Sequence, residues 1–469
     1  MSSTATNPCR LGAGTGYWGD MVDPALELLE HGELDAMGFD LLAELSVAAL
    51  QRARLRNPEK GHIPDTAGIF AQCLPPARRN GVTIVTNAGG ANPQAAARAI
   101  AGVACEQGDA ELRLGVIEGD DLTERLDAIR RSGWRFTNMD TGEEDVDSIA
   151  DQIVAAHAYL GCDGVIEALG GGADVVVGGR LADSALYSGP LMHHYGWTPQ
   201  SCTDAQRGAA LTVGHLLECG GASSGGMTSQ WRESEEPWRI GYPLAEVADD
   251  GSAVITKLPG SGGIVNEWTI KEQMLYEVHD PRDYRLPDGV VDLSGVTVTE
   301  LEKNRMLVAG MSAGPPPELL KVQIGYEDGF IGEGRVLLPW PDAFEKAEWC
   351  ERFVRRRLEY LNVNVREIQL DHVGRNTLAG PSAPGATGDR DINEIELRVA
   401  VRTDTRAEAE LARRTIVHLA TAGPVGTAVN LPPPVRKVIA LWPTLVPRDQ
   451  VDVRVAVLRA DEVVSHARA

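Results

Sequence analysis

The sequence predicts an α/β protein: a mostly parallel sheet with helices on both faces in the N-terminal half, followed by an α+β second half. Two observations lead to this fold class. The first half alternates short apolar, β-branched runs with Ala-rich stretches of helical period, which is typical of strand–helix–strand units. The second half carries hairpin signals instead, such as the Asp-Asp-Gly turn at 249–251.

Four strand–turn–helix units follow one another in the first half. Their strands are predicted within 33–40, 81–90, 112–122 and 172–180. These strands are continuously apolar, which is typical of parallel strands that are buried on both faces. Ligands of open α/β sheets bind at the carboxyl ends of such strands, so the polar residues in these turns become candidate site residues.

The second half is predicted to form a separate domain, so that the chain divides into 1–225 and 226–469. A hairpin is expected over 241–258, and a helix is expected over 342–362 because its aromatic residues recur at helical spacing. The Gly- and Pro-rich stretch 374–391 is interpreted as a loop.

The composition excludes several classes of protein. The formal net charge of −23 would repel nucleic-acid phosphates over most of the surface. No run of 18 apolar residues occurs, and the N-terminal residues lack the apolar segment of a signal peptide, so we expect a cytoplasmic protein without a membrane span. The seven cysteines are scattered without a C-x-x-C pair, which predicts reduced thiols rather than disulfides or a zinc site.

The stretch RLGAGTGYWGD, residues 10–20, matches G-x-G-x-x-G. It is open to three interpretations: a dinucleotide-binding loop with Asp40 as its acid, a substrate loop walled by Trp18, or a tight turn. The first is disfavoured because CRLGA makes a poor strand and Asp20 would repel a pyrophosphate. We therefore predict no cofactor and take Trp18 and Asp20 as substrate contacts.

The turn VTNAGGANP, residues 85–93, combines features of an anion-binding loop. Asn87 ends a strand, Gly89 and Gly90 free the backbone amides, and Asn92 caps the next helix. Loop amides beside a helix N-terminus suit an oxyanion or a carboxylate. We predict that Asn87 is catalytic and that the two glycines bind substrate; a capped turn without a ligand is the alternative.

The turn VIEGDDL, residues 116–122, places three carboxylates at another strand end. Carboxylates this close raise the pKa of at least one of them, which suits general acid–base catalysis. Glu118 and Asp120 are therefore the predicted acid–base pair, and Asp121 is a predicted substrate contact. Binding of Mg²⁺ and simple helix capping are the alternatives.

The turn GGRLADSAL, residues 178–186, adds three predicted substrate contacts: Arg180, Asp183 and Ser184. Arg180 would clamp a carboxylate or a phosphate, or else pair with a nearby acid. Ser184 does not stand in a G-x-S-x-G elbow, so a serine hydrolase is not indicated.

Two later motifs supply further candidates for substrate binding. His215 lies on a helical stretch before a glycine-rich loop, although a structural histidine is the commoner case. Lys257 precedes a second glycine-rich loop that contains Gly262 and Gly263. That loop lacks the order of a P-loop, so it would hold a substrate phosphate or carboxylate, or form an ordinary turn.

Eight blocks in this order resemble the acyclic terpene utilisation (AtuA-type) family: GYWGD, LLAEL, TNAGGANP, VIEGDDL, GGRLADSAL, GHLLECG, GYPLAEV and KLPGSGGIV followed by LYEVHDP. The resemblance spans about residues 10 to 450. It implies a part in the breakdown of acyclic terpenoids such as citronellol and geraniol through branched acyl-CoA intermediates. Many members also carry a ferredoxin-like domain at the C-terminus, for which this chain has no room, so a separate small ferredoxin-like partner protein is implied.

Motifs and resemblance together predict a cofactor-independent hydratase or lyase that acts on a branched acyl-CoA or a related carboxylic acid, in a homo-oligomer. Hydration needs an acid–base pair and stabilisation of an enolate oxygen. Two alternatives stay open: a non-catalytic binding or assembly subunit, and a metal-assisted hydrolase or aldolase-type lyase.

Overall fold

The structure is a computed structural model that describes residues 7–144, 146–382 and 392–466. Its α-helices are α1 (Asp23–His31), α2 (Glu44–Arg56), α3 (Thr66–Asn80), α4 (Pro93–Glu106), α5 (Leu126–Arg131), α6 (Asp163–Gly170), α7 (Ala185–Tyr195), α8 (Asp204–Leu217), α9 (Glu267–Leu275), α10 (Ala343–Tyr360), α11 (Arg406–Val417), α12 (Leu419–Ala422) and α13 (Ala460–His466). Its strands are β1 (Cys9–Thr15), β2 (Ala36–Phe39), β3 (Thr83–Thr86), β4 (Arg113–Glu118), β5 (Ile153–Ala158), β6 (Val175–Gly178), β7 (Pro243–Val247), β8 (Ala253–Lys257), β9 (Tyr284–Leu286), β10 (Gly289–Asp292), β11 (Thr297–Glu302), β12 (Arg305–Ala309), β13 (Ser312–Gly314), β14 (Leu319–Pro339), β15 (Val365–Val373), β16 (Glu394–Thr403), β17 (Ala428–Val429), β18 (Arg436–Pro447) and β19 (Arg454–Arg459).

The main sheet has the strand order β11-β12-β8-β7-β1-β2-β3-β6-β4-β19. Its five central strands, β1, β2, β3, β6 and β4, are parallel, as the apolar runs of the first half predict. The flanking strands are all antiparallel to their neighbours. The α/β class is therefore confirmed, but the sheet is mixed, and the parallel arrangement predicted for it holds only at its centre.

Helices cover both faces of the parallel centre. The chain crosses the sheet in one direction from β1 to β4 and returns from β4 to β6. Because such connections are right-handed, α4 and α6 lie on opposite faces. On one face α1 packs on α3, α3 on α4 and α4 on α13; on the opposite face α6 packs on α7 and α7 on α8. The carboxyl ends of the central strands emerge between these layers.

The chain forms two compact units: Met1–Gly325 with Leu441–Ala469, and Tyr326–Ala440. The boundary predicted between residues 225 and 226 lies inside the first unit. The reason is that β7 pairs with β1, so the strands after residue 226 extend the same sheet instead of starting a new one. Sequence period alone does not reveal this pairing, because it joins segments more than 200 residues apart.

The second unit has a ferredoxin-like topology. Its elements follow the order β14, α10, β15, β16, α11 and β18, with β14 between β16 and β18 and with β15 at the edge. Helices α10 and α11 pack on β16 over a buried core. The helix predicted over 342–362 is α10. Of the loop predicted over 374–391, residues 383–391 lie outside the described residues.

None of the described helices is both long enough and apolar enough to cross a membrane.

Candidate functional site

The carboxyl ends of four neighbouring parallel strands carry polar side chains that are almost fully buried. Asp40 follows β2, Asn87 follows β3, Asp120 lies two residues past β4, and Arg180 lies two residues past β6. Because these strands are neighbours in the sheet, their ends meet at one edge. Polar groups are rarely buried at this density unless they bind each other or a ligand.

A histidine–aspartate pair lies at the centre of this edge. His157 Nδ1 is 2.9 Å from Asp120 Oδ2, and the backbone N–H of Arg180 donates to the same oxygen at 2.8 Å. His157 reaches this edge because its strand β5 runs beside residues 120–122, and the Ala158 N–H donates to the Asp120 carbonyl. The pair therefore has a fixed geometry and almost no access to solvent.

The charge of Asp120 controls the protonation of His157. Burial disfavours the imidazolium, but the hydrogen bond and the negative charge of Asp120 outweigh it, and the pKa of His157 is raised above 6.5. Asp121 adds to this effect, whereas the cation of Arg54 opposes it. An imidazole with a raised pKa is a stronger base and can also return its proton as an acid.

A small cavity of about 10 Å³ lies beside His157, which is room for about one water molecule. Its lining residues are Glu44, Val47, Ala48, Ala155, His157, Tyr159, Arg180, Gln323, Gly325 and Leu441. Three of them have a buried polar atom without a hydrogen-bond partner: His157 Nε2, Arg180 Nε and Gln323 Oε1. A base, a cation and an amide that share one cavity, each with one unpartnered polar atom, are suited to bind a polar ligand.

Arg180 is held over an aromatic ring. Its guanidinium carbon is 4.2 Å from the ring centroid of Tyr159, and its Nη1 donates to Asp183 Oδ1 at 3.0 Å. The Tyr159 hydroxyl donates to Glu44 Oε1 at 2.7 Å, and Lys321 Nζ donates to the same oxygen at 2.6 Å. Burial opposes the ionisation of Glu44, but these two hydrogen bonds outweigh it and lower its pKa.

Asp40 is a second buried carboxyl group at the same edge. Asn87 Nδ2 donates to Asp40 Oδ1 at 2.7 Å, and Asn87 Oδ1 accepts the Leu41 N–H at 2.8 Å. Burial raises the pKa of Asp40 well above its ordinary value, and the charge of Asp183 adds to the rise, whereas Asn87 and Arg180 oppose it. Asp40 therefore keeps its proton to higher pH than an exposed aspartate does.

A second histidine pair lies at the end of α8. His215 Nδ1 is 2.7 Å from Glu218 Oε1, and the Tyr284 ring lies edge-on at 5.2 Å from the imidazole. Burial raises the pKa of Glu218, although His215 opposes the rise, and Asp183 is close enough to add to it. The predicted candidate His215 is thus buried and paired, and it does not line the cavity.

The predicted oxyanion cradle uses its amides internally. The Gly89 N–H donates to the Gly178 carbonyl at 3.1 Å, and the Gly90 N–H donates to the Asn87 carbonyl at 3.1 Å. Asn92 caps α4 as predicted, by accepting the Ala95 N–H. The glycines therefore serve close packing between strand ends, which favours the alternative of a capped turn without a ligand. Asn87 holds Asp40 in place and lies outside the cavity.

The three carboxylates after β4 have different environments. Asp120 is buried against His157, whereas Glu118 accepts from Gln94 Nε2 at 3.2 Å and is partly exposed. Asp121 lies 3.5 Å from Arg54 and accepts the Thr123 N–H. Glu118 and Asp120 have no hydrogen bond with each other among the described contacts. Asp120 is bonded to His157 instead, and the acid–base role of Glu118 stays a prediction.

Neither Asp183 nor Ser184 lines the cavity. Asp183 pairs with Arg180, which was one of the alternatives for that arginine. Ser184 is buried, its Oγ has no hydrogen-bond partner, and it packs against Gly214, the neighbour of His215.

The opening glycine stretch contains a genuine strand. Residues 9–15 form the buried strand β1, although CRLGA predicts a poor one. The strand forms because Gly14 allows β1 to lie close to the backbone and ring of its neighbour β2.

Asp20 accepts the N–H groups of Gly16 and Met21, both at 2.8 Å. It thus occupies the amide that a phosphate would need. Trp18 is exposed, donates to Asp65 at 2.7 Å and does not line the cavity.

The loop after β8 is a closed turn. Lys257 Nζ donates to the Ser261 carbonyl at 2.5 Å, and burial lowers its pKa. The Gly262 and Gly263 N–H groups donate to the carbonyls of Arg239 and Glu235. None of these three predicted contacts lines the cavity, and their hydrogen bonds support the alternative of an ordinary turn.

Sequence reasoning missed His157, Tyr159, Glu44 and Gln323. The segment IVAAHAYLG carried one usable signal: His157 and Tyr159 are two residues apart and therefore face the same side of a strand. Nothing in the sequence pattern places Gln323, because β14 reaches this edge only by pairing with β5.

The fold and the edge residues define an α/β protein with a buried histidine–aspartate pair and an arginine at the carboxyl end of a parallel sheet. The chain belongs to the acyclic terpene utilisation family: the family described as "Acyclic terpene utilisation family protein AtuA" matches residues 9–457. The family predicted from the eight motifs is thereby confirmed. No curated protein and no solved structure matches the chain.

The position of Asp120 can be tested through the glycine that packs against it. A Cβ at residue 179 would overlap with the Asp120 carboxylate, so we expect Gly179→Ala to displace this carboxylate and to lower the free energy of unfolding by about 1–3 kcal/mol. Urea denaturation measures the loss. Gly102→Ala in α4 is the control, because no heavy atom lies within 4 Å and alanine favours helix there. Equal stability of the two variants would contradict the placement of Asp120.

Proposed function

We propose that the protein is a hydro-lyase of acyclic terpenoid catabolism that acts on a branched acyl-CoA or a related carboxylic acid. The observation that carries this proposal is the cavity, where His157 Nε2 and Arg180 Nε lack partners beside an Asp120 that orients the imidazole. Family membership supports the pathway, and the geometry supports the class of reaction.

In the dehydration direction, His157 Nε2 takes the proton from the carbon next to the carbonyl. The electrons of that C–H bond form an enolate, and the Arg180 guanidinium stabilises its oxygen. The enolate then collapses to a double bond as the β-hydroxyl leaves with the proton that the imidazolium returns. Hydration is the reverse of these steps, so one residue serves as both base and acid.

The environment of Arg180 favours an oxyanion as its ligand. Its Nη1 donates to Asp183, and its face is covered by Tyr159, whereas its buried Nε has no partner and is available to a ligand. The apolar residues of the cavity, Val47, Ala48, Ala155 and Leu441, suit the hydrocarbon part of the substrate. A cavity of about 10 Å³ has to widen to admit that part, so we expect binding to move these residues.

The proposal is tested with branched α,β-unsaturated acyl-CoA thioesters and the corresponding free acids. Hydration removes the conjugated double bond, so its absorbance reports turnover directly. We expect at least one member of this set to be hydrated. Binding of a thioester without any turnover across the set would support the alternative of a non-catalytic binding subunit and would contradict the proposal.

The pH dependence of the reaction is expected to follow His157. Because the pKa of His157 is raised, the pH profile of kcat/KM for dehydration should have a rising limb above pH 6.5, where the imidazolium loses its proton. In Asp120→Asn the carboxylate that raises the pKa of His157 is lost while burial persists, so this limb of the pH profile should move to lower pH. Glu124→Gln, an exposed acid after the same strand, is the control. A limb that stays in place in Asp120→Asn would rule out this pair.

A further inference from the structure

Three metal-binding side chains meet at the end of the sheet opposite the cavity. Cys9 begins β1, Asp35 immediately precedes β2, and His194 lies in the last turn of α7. One ligand atom from each, the thiol sulfur, a carboxylate oxygen and an imidazole nitrogen, lies within 4.8 Å of the other two. These groups lie in three separate parts of the chain, so no spacing in the sequence predicts that they meet.

The surrounding structure fixes two of the groups. The Tyr195 hydroxyl accepts the Cys9 N–H at 3.3 Å and donates to the Val247 carbonyl at 2.8 Å, which ties the start of β1 to α7. The His194 ring lies edge-on to Tyr195 at 4.7 Å, and Tyr195 stacks on Trp197 at 4.6 Å. Tyr195 therefore holds the backbone of Cys9 and packs against the imidazole of His194 before any ion binds.

The third group is fixed by the parallel pairing of β1 and β2. Asp35 Oδ2 accepts the Arg10 N–H at 2.8 Å, and the Asp35 N–H donates to the Arg10 carbonyl at 2.8 Å. The carboxylate is thereby held beside Cys9. Among the described residues, none donates a hydrogen bond to the other oxygen, Asp35 Oδ1.

The ligand set selects the class of ion. A thiolate, an imidazole and a carboxylate are the usual ligands of Zn²⁺, whereas Mg²⁺ and Ca²⁺ take oxygen ligands. Cys9 is fully buried, and burial and then the charge of Asp35 raise the pKa of its thiol. A divalent ion reverses this effect, because it binds the thiolate and displaces the proton.

We infer that Cys9, Asp35 and His194 form a site for one Zn²⁺ or a similar transition-metal ion, with water as the fourth ligand. The site lies at the amino-terminal end of the sheet and shares no residue with the cavity, so this inference is independent of the proposed function. It also differs from the prediction made from cysteine spacing, which considered only ligands close together in the sequence.

The experiment uses the full chain, stripped of metal with a chelator and titrated with Co²⁺ as a spectroscopic stand-in for Zn²⁺. We expect one ion per chain, with the near-ultraviolet charge-transfer band of a cobalt–thiolate bond. His194→Ala should weaken binding by about tenfold or more, since the loss of outer-shell partners alone costs that much. His193→Ala is the matched control, because this neighbouring exposed histidine lies outside the group.

A second variant keeps the inference testable if changes at the buried Cys9 disturb folding. Asp35→Asn retains the shape of the side chain but removes its charge, and it should also weaken Co²⁺ binding while the charge-transfer band persists at saturation. Equal affinity of His194→Ala and His193→Ala, or binding without a charge-transfer band in a folded protein, would overturn the inference.

Discussion

Replacement of His157 by Gln is expected to lower kcat by about 10²–10⁴-fold, the usual contribution of a general acid–base residue. The glutamine amide can still donate to Asp120, so the buried carboxylate keeps a partner, but an amide cannot take a proton from carbon. The substrate should bind with similar affinity, because Arg180 remains in place. Measurement of kcat and KM with a thioester that the enzyme hydrates separates the loss of proton transfer from a change in substrate binding.

The control for His157→Gln is His193→Gln, an exposed histidine at the end of α7. Both proteins should show a cooperative unfolding transition, so that a loss of activity is not a loss of structure. A His157→Gln enzyme with unchanged kcat would exclude His157 as the base. A rise in KM with unchanged kcat would instead assign His157 to substrate binding.

The second large effect is expected from Arg180→Met. Arg180 is 3% exposed, and its cation pairs with Asp183, lies over the Tyr159 ring and interacts electrostatically with Asp40. Methionine fills similar space but leaves the carboxylates without their cation. We expect the free energy of unfolding at pH 7 to fall by about 3 kcal/mol, near the lower end of the range for breaking a buried ion pair, because Asp183 is partly exposed. Urea denaturation measures this change.

A matched control distinguishes burial from charge. Arg78 also contacts two carboxylates, Asp109 and Asp174, but it lies at the surface, so Arg78→Met should cost about 0–1 kcal/mol. Arg180→Met combined with Asp183→Asn should recover part of the loss, since one uncompensated carboxylate is removed. If Arg180→Met costs no more than Arg78→Met, Arg180 is not the buried counter-ion described above.

The sequence predicted the edge of the sheet but only part of the site. The ends of β3, β4 and β6 could be located because each buried strand stops at a turn rich in Gly, Asn or Asp, and Asp120 and Arg180 were among the candidates. His157 could not be placed, because β5 reaches Asp120 through a bridge to residues 120–122, outside the strand order of the main sheet. Local sequence patterns carry no information about such pairings.

The glycine-rich turns show a second limit of sequence reasoning. A glycine after a strand has the same sequence signature whether its N–H binds a ligand or a carbonyl of the protein. For Gly89 the partner is the Gly178 carbonyl on the neighbouring strand, and for Gly16 it is the Asp20 carboxylate. The strand β1 was underestimated for a related reason: its burial comes from its neighbours and not from its own apolar content.

Proton exchange at carbon tests the central claim most directly, because it requires only the base and the arginine and no net reaction. Branched acyl-CoA thioesters are incubated with the enzyme in D₂O, and loss of the hydrogen next to the carbonyl is followed by NMR. We predict that the wild-type protein exchanges this hydrogen and that His157→Gln slows the exchange by about 10²-fold or more. Exchange at equal rates in the two folded proteins would contradict the account.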